Sequence, residues 1–427
     1  MNSELNREDF LKQNKDILIY GMAIGFILGI LSGIFTPGFA LSIKFIGTLF
    51  LNALKMVVLP LIIVAIVYSI LKVGDLKAFG NMGAKTVLYY LATTALSVAT
   101  GIFVAGVFQP GTGVEAILGN IPEVVQGKEK LGIVDMFLSL IPSNIFKAAA
   151  DFKVLPLIIV SLIFGSAFLI VSKGKGVLVD LFSQLEKAVM LVVNWVIFFT
   201  PLGIFAIVGE KVALAGGDFL TVLLGLAKYI GVLLGSLGIH ALITLPLIYY
   251  FFTKKNPFSY MNRVKEALLM AFATASSAAT LPLTRKNVIE KGGADEKTTD
   301  FILPLGATVN MDGTALYEGV AVVFICQAYG IDLSLAAYLT IFITAILAGI
   351  GAAAIPQAGL VTMVVVLKSV GAPIEGIGLL LAVDWLMDRF RTSVNVWGDT
   401  VGVAVVERFL VNQSSSKSVK KFKKSKH

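Results

Sequence analysis

Long apolar runs separated by short polar or basic turns recur along the whole chain. The first reads Ile17 to Phe35 and stops at Thr36-Pro37-Gly38; the second covers about Ile43 to Leu71 and the third about Val87 to Phe108. A longer region, Val134 to Val171, is broken at Pro142, at Lys147–Lys153 and at Pro156, and is expected to form short helical pieces that make one crossing. The fifth run, about Ala188 to Val208, contains Pro201, and the sixth spans about Leu220 to Phe252. About 20 apolar residues in a helix cross a bilayer, so each run predicts a membrane-spanning helix.

The second half has a different rhythm. From Pro257 to about Ile289 the chain is only moderately apolar and is interrupted by Ala273-Thr-Ala-Ser-Ser277-Ala-Ala-Thr280-Leu-Pro282. Two short helices around such a tip suit a re-entrant hairpin better than a crossing. A full span follows, Phe301 to about Gln327, interrupted by Asn310-Met311-Asp312-Gly313-Thr314. The pattern then repeats: Leu333 to about Val370 is interrupted at Gly349–Gly359, and a polar-centred span follows it. Paired interrupted segments in two halves point to inverted repeats around a transport site near the bilayer midplane, the alternative being two ordinary Gly/Pro-kinked spans. The predicted fold class is an all-α polytopic membrane protein with eight transmembrane spans and two re-entrant hairpins.

The last span, about Gly376 to Val406, contains Asp384-Trp-Leu-Met-Asp388-Arg389-Phe-Arg391-Thr392-Ser-Val-Asn395-Val-Trp-Gly-Asp399. On a helix, residues 384, 388, 391, 395 and 399 share one face, and Arg389 points about 100° away from Asp388. Each charge near the midplane costs roughly 2.5–3.5 kcal/mol on insertion scales, so these groups must face protein, water or ligand. Asp–Arg pairs that only glue helices together are the bland alternative.

Composition agrees with a membrane protein: 57% hydrophobic and 15% charged residues, with mean hydropathy +0.87, against about half and a quarter in soluble domains. Met1 to Asp16 is polar and no cleaved signal peptide is expected. Much of the net charge of +8 sits in a lysine-rich tail, Lys417 to Lys426. A disordered cytoplasmic tail explains it better than a nucleic-acid arm. Basic residues after the second, fourth and sixth runs place both termini in the cytoplasm of a cell-membrane protein. Cys326 is the only cysteine, and neither His240 nor His427 belongs to a His/Cys cluster, so no internal disulfide and no zinc or iron site is expected.

The polar residues suggest a cargo. Helix N-termini hold anions, so Ser276, Ser277 and the backbone after Pro356, through Ala358 and Gly359, suit a carboxylate. Arg391 offers a fork for a second carboxylate, and Asp388, one turn away, suits an ammonium. Two carboxylates and one ammonium describe an acidic amino acid. Asn310 and Asp312 next to Gly313, beside freed carbonyls, suit a hard cation such as sodium, and Asn395 with Asp399 repeats that set. Burial disfavours a charged carboxyl, so Glu318 is a candidate proton carrier, or else a partner of Arg389. Tyr90, Thr93 and Thr94 by themselves read as helix-packing residues.

At these residues the sequence resembles the sodium-coupled glutamate/aspartate transporters, the dicarboxylate/amino acid:cation symporters. The likeness is carried by Ser276-Ser277-Ala-Ala-Thr280-Leu-Pro282, Asn310-Met-Asp-Gly-Thr314, Ile355-Pro-Gln-Ala-Gly-Leu-Val-Thr362 and the stretch Asp384–Asp399, and is dense from about 257 to 409. It implies a homotrimer with an elevator mechanism: a scaffold over 17–86 and 134–215, a transport domain over 87–133 and 216–410, and flanking cytoplasmic segments 1–16 and 411–427. By resemblance, Arg391 is the side-chain-carboxylate ligand, Asp388 and Thr392 hold the amino group, and Ser277, Thr314 and Asn395 also contact substrate. Gly306, Asn310, Asn395 and Asp399 match one sodium site; Tyr90, Thr93, Thr94, Asn310 and Asp312 match another. A third uses mostly backbone around Thr308 and the second tip. The chain departs from archaeal members at Ala275, where an arginine is usual, with Arg389 resembling its replacement. Arg389 and Glu318, the latter tied to proton co-transport, follow the animal pattern. Gly349 and Ala354 replace the Ser and Gly common in the second tip.

The expected function is therefore sodium-driven symport of L-glutamate and/or L-aspartate, with no cofactor beyond coupling ions, a proton and potassium among the candidates. A proton-driven C4-dicarboxylate or neutral amino acid carrier is the alternative of the same fold. An intramembrane aspartyl protease using Asp312 and Asp399 is the alternative of another class.

Overall fold

The computed structural model describes residues 20–22, 24–72, 81–113, 141–151, 154–215, 219–351 and 358–424; among them every regular element is helical and none is a strand. In order these are α1 (Tyr20–Phe35), α2 (Pro37–Ser42), α3 (Lys44–Lys72), α4 (Asn81–Phe108), α5 (Ile145–Ala150), α6 (Val154–Ser172), α7 (Val177–Phe198), α8 (Thr200–Ala215) and α9 (Phe219–Ile239), which runs through a π-turn into α10 (Leu245–Thr253). Then come α11 (Pro257–Thr274), α12 (Ser277–Lys286), α13 (Glu296–Val309), α14 (Asp312–Ala328), α15 (Leu335–Gly351), α16 (Ala358–Ser369) and α17 (Ile377–Lys424). Five helical stretches are long and apolar enough to cross a membrane, which marks a multi-pass membrane protein.

The interrupted segments form where the sequence pattern places them. Asn256 caps α11, accepting the Ser259 N–H at 3.0 Å, with Pro257 in the first turn. Ala275 ends α11 in the left-handed region at φ +50°, and Ser276 then caps α12 through the Ala279 N–H at 3.2 Å. The two helices pack side by side, as a hairpin requires. Asn310 and Met311 separate α13 from α14, also as expected. In the second interrupted segment the flanking helices α15 and α16 pack together; of the tip itself, residues 352–357, including Ala354, lie outside the described residues.

Two expectations need correction. The run Ala188 to Val208 is two helices, α7 and α8, that meet at Phe199. Pro201 lacks an N–H and sits in the first turn of α8, where none is needed. The basic tail, expected to be disordered, continues α17 to Lys424. After Gly402 that stretch contains neither glycine nor proline, so nothing local breaks the helix.

Two groups of helices emerge from the packing. α3 contacts α6, α7 and α8, while α4 contacts α9, α14, α15 and α17. Gly21, Gly25, Gly29 and Gly33 repeat every four residues on α1, and this stripe admits α8: a Cβ at Gly29 would lie 2.9 Å from the Phe205 carbonyl oxygen. The centre of the second group is α14, buried from Asp312 to Cys326. A helix buried on every side must satisfy its polar residues internally. That requirement builds the site.

Candidate functional site

Two polar clusters meet where α13 breaks. In the first, the break at Asn310 turns its amide outward from the helix axis toward α17. Asn310 Nδ2 donates to Asp399 Oδ1 at 3.0 Å, and Thr93 Oγ1 lies 3.4 Å from Asn310 Oδ1. Thr94 Oγ1 donates to Asp312 Oδ1 at 2.7 Å, and Ser97 Oγ to the Asp312 carbonyl at 2.8 Å. Glycine at 306 is required by close approach: a Cβ there would meet Tyr90 Oη and stand 2.5 Å from Asp399 Oδ1. Tyr90 Oη donates to the Ile302 carbonyl at 2.8 Å. Gly398 likewise leaves room, since its Cβ would fall 2.9 Å from Asn310 Nδ2 and 3.0 Å from Asp312 Oδ2.

Carboxylates, an amide oxygen and hydroxyls thus converge, all buried. No group of three or more His, Cys, Asp or Glu able to hold a metal ion occurs among the described residues. The donor set is hard and oxygen-rich, which fits an alkali cation and not zinc or iron. Asp312 and Asp399 do not hydrogen-bond each other: Asp312 accepts from Thr94 and Asp399 from Asn310.

In the second cluster, Arg391 is fully buried between two carboxylates. Nη1 lies 3.0 Å from Asp384 Oδ1, and Nη2 donates to Asp388 Oδ1 at 2.8 Å. The guanidinium stacks on the Tyr317 ring, 3.8 Å from its centroid. A Cβ at Gly359 would be 3.1 Å from Arg391 Nη1 and 3.3 Å from Thr314 Cγ2, so the backbone of α16 closes over the guanidinium. Asn395 joins the clusters: its Oδ1 accepts the Gly313 N–H at 2.7 Å and its Nδ2 donates to Thr314 Oγ1 at 3.2 Å.

The structure therefore gathers Arg391, Asp388, Thr314, Asn395 and Gly359 at one place, and Tyr90, Thr93, Thr94, Gly306, Asn310, Asp312 and Asp399 beside it. Thr392 Oγ1 is engaged with its own helix, donating to the Asp388 carbonyl at 2.8 Å. Ser276 and Ser277 are buried at the first tip. Thr308 also bonds within its helix, Oγ1 donating to the Leu305 carbonyl at 3.0 Å, and the tip expected to complete a third oxygen set with it lies outside the described residues. Nothing is described of the Ala358 side chain, although the residue opens α16.

Arg389 does not reach Glu318. Its Nη1 donates to the Phe272 and Ala273 carbonyls at 3.1 and 3.0 Å, capping the C-terminal end of α11 and tying the first hairpin to α17. Glu318 is buried beside Thr362 and Arg391, and neither of its oxygens makes a hydrogen bond of good geometry.

Sequence reasoning missed three members. Asp384 lies on the polar face, where nothing local marks it as the Arg391 partner; Tyr317 breaks no periodicity; and His240 Nε2 sits 3.1 Å from Asp312 Oδ2. A lone histidine in an apolar run was the available signal for the last, because intramembrane ionisable residues need partners.

The chain matches the sodium:dicarboxylate symporter family over residues 18–409. It is 35% identical over 460 residues to an excitatory amino acid transporter of Caenorhabditis elegans, covering 96% of this chain and 91% of that protein. It is also 35% identical over 450 residues to excitatory amino acid transporter 3 of Mus musculus, covering 92% and 85%. To neutral amino acid transporter B(0) of Bos taurus it is 35% identical over 435 residues, covering 94% and 80%. These matches set the protease alternative aside: the protein is a transporter and not an enzyme. With a buried guanidinium–carboxylate cluster and an oxygen cluster on the same helices, the chain belongs to the sodium:dicarboxylate symporter family.

Proposed function

We propose that the protein is a secondary active symporter that carries L-glutamate and/or L-aspartate into the cell with sodium ions. The observation that carries this reading is Arg391, a buried cation flanked by two carboxylates and roofed by the α16 backbone. A substrate side-chain carboxylate takes the Arg391 fork. The substrate ammonium takes Asp388, which is thereby released from Arg391, with Thr392 next to it. Thr314, Asn395, Ser276, Ser277 and the Gly359 backbone complete the pocket. Sodium ions travel at the Asn310–Asp399 and Asp312–Thr94 oxygen sets, with Thr308 and the second tip as a third place. Glu318, close to Arg391, is the candidate carrier of a proton.

The packing supports a scaffold of α1–α3 and α5–α8 and a moving body of α4 and α9–α17. An elevator in a homotrimer follows from the family resemblance, and cytoplasmic termini from the basic residues after the second, fourth and sixth runs. Residues 359–367 of the second hairpin are buried, whereas Ala273, Ala278 and Ala279 of the first tip are exposed. We read this asymmetry as an inward-facing arrangement with the first hairpin toward the cytoplasm and the site closed, since Arg391 does not reach solvent.

The test is uptake by Arg391→Cys in liposomes. Loss of acidic amino acid uptake supports the assignment, and unchanged glutamate uptake refutes it. Similarity to a neutral amino acid transporter favours a second reading, neutral cargo. Competition of aspartate uptake by serine separates the two, and Arg391 predicts weak competition.

A further inference from the structure

A cavity of about 200 Å³ lies at the basic end of the bundle, away from the substrate and sodium residues. Its walls include Thr253 and Lys255 after α10, Tyr260 on α11, Gly293 in the turn before α13, and Glu407 and Arg408 on α17. The floor is fixed. The Tyr260 ring is buried and stacked on Tyr249 at 4.7 Å, and its hydroxyl donates to the Thr400 carbonyl at 2.9 Å. Gly293, at φ +76°, carries the turn past the mouth, and a Cβ there would meet nothing within 4 Å.

The charges in this cavity are unbalanced. Lys255 and Arg408 are exposed and have no ion-pair partner among the described residues. Glu407 is already engaged, one oxygen accepting the Asp295 N–H at 3.2 Å. Glu407 keeps its charge and attracts Lys255, so two cations stand against one carboxylate in the lining, and the single excess positive charge favours an anion. The surroundings indicate its source. Phe252 and Phe409, neighbours in sequence of Thr253 and Arg408, pack at 4.8 Å and are partly exposed. Lys254 Nζ stands over the Tyr250 and Phe251 rings at 5.8 and 5.5 Å, and Lys85 Nζ over Phe409 at 5.5 Å. Aromatic rings with lysines at the ends of apolar helices mark headgroup depth.

We propose that this cavity binds the phosphate of an anionic phospholipid headgroup, held between Lys255 and Arg408, with the acyl chains lying along the Phe252–Phe409 side. The site braces the feet of the first hairpin, α10 and α17. Its test reads binding, so it stands apart from the transport reading. Native mass spectrometry of the full chain, exchanged into mixtures of phosphatidylglycerol and phosphatidylcholine, would count retained lipids. The expected result is a preference for phosphatidylglycerol of about tenfold, lost in Arg408→Gln and in Lys255→Gln and kept in Lys254→Gln. Thermal unfolding in pure phosphatidylcholine confirms that the variants are folded. Equal retention of the two lipids by the native chain, or equal loss in Lys254→Gln, overturns the proposal. Retention of glycerol 3-phosphate from solution without lipid preference assigns the site to a soluble phosphate and also overturns it.

Discussion

Arg391 and Asp384 face each other across 3.0 Å, and neither side chain reaches solvent. Asp388 holds the other arm of the guanidinium at 2.8 Å. One cation between two anions leaves an excess negative charge in a place shielded from bulk solvent, so removal of the cation strands both carboxylates. Breaking a buried pair by deleting one partner costs about 3–5 kcal/mol. Arg391→Cys should therefore lower thermal stability as well as acidic amino acid uptake. Adding Asp384→Asn should recover part of the stability without restoring uptake. A double-mutant cycle on thermal unfolding checks this, and strictly additive effects would contradict the pairing.

Asp388 exchanges Arg391 for a substrate ammonium in the proposed mechanism. Asp388→Asn keeps the shape and removes the charge. Glutamate uptake at low substrate should fall by about thirtyfold or more, as expected for losing one side of a buried charged contact. Concentration-dependent uptake measures it; a variant with native half-saturation would remove Asp388 from the pocket.

Gly306 stands where a methyl group would press on Tyr90 Oη and Asp399 Oδ1. Overpacking costs about 1–3 kcal/mol. Gly306→Ala should raise the sodium concentration for half-maximal uptake by about tenfold. Gly235→Ala, where a Cβ meets nothing within 4 Å, should leave it unchanged. Sodium titrations of uptake compare the two.

Thr94 and Thr100 lie on the same helix with different duties. Thr94 Oγ1 donates to Asp312, whereas Thr100 Oγ1 donates only to the Leu96 carbonyl one turn back. A hydrogen bond to a charged group is worth about 1.5–3 kcal/mol. Thr94→Ala should weaken sodium dependence by about tenfold or more, and Thr100→Ala should be silent.

Much of this arrangement was legible along the chain, because period and interruption are local properties. The shared face of Asp384, Asp388, Arg391, Asn395 and Asp399, the hairpin tip at Ser276–Ser277 and the break at Asn310 each follow from residues within a few turns. Partners far apart in sequence were not legible. Asp312 meets His240 and Thr94 only through helix packing, and Arg389 chooses the Phe272 and Ala273 carbonyls over Glu318. The run Ala188 to Val208 reads as one span with Pro201 inside it, whereas the packing divides it at Phe199 into α7 and α8, with Pro201 in the first turn of α8. Tyr90, Thr93 and Thr94 look like ordinary packing hydroxyls until α14 is set against α4.

Outside the apolar spans, Asp295 caps α13, its Oδ2 accepting from the Thr298 N–H and Oγ1 at 2.9 Å each. The Thr298 backbone N–H, then its hydroxyl, hold the carboxyl below the usual carboxylate range. A depressed carboxyl contributes stability above its unfolded value, and that contribution is lost as pH falls through the folded value. Asp295→Ala should therefore unfold at a lower temperature than the native chain at neutral pH. The difference should vanish under strongly acidic conditions, and a difference independent of pH would contradict the charged cap.

Uptake of radiolabelled L-glutamate and L-aspartate into liposomes under an imposed sodium gradient, beside a sample with a proton gradient alone, tests the central claim most directly. The account predicts accumulation that requires sodium and is abolished in Arg391→Cys. Accumulation driven equally by protons without sodium would contradict it, keeping Arg391 as the carboxylate ligand but moving the coupling from the Asn310, Asp312 and Asp399 oxygens to Glu318.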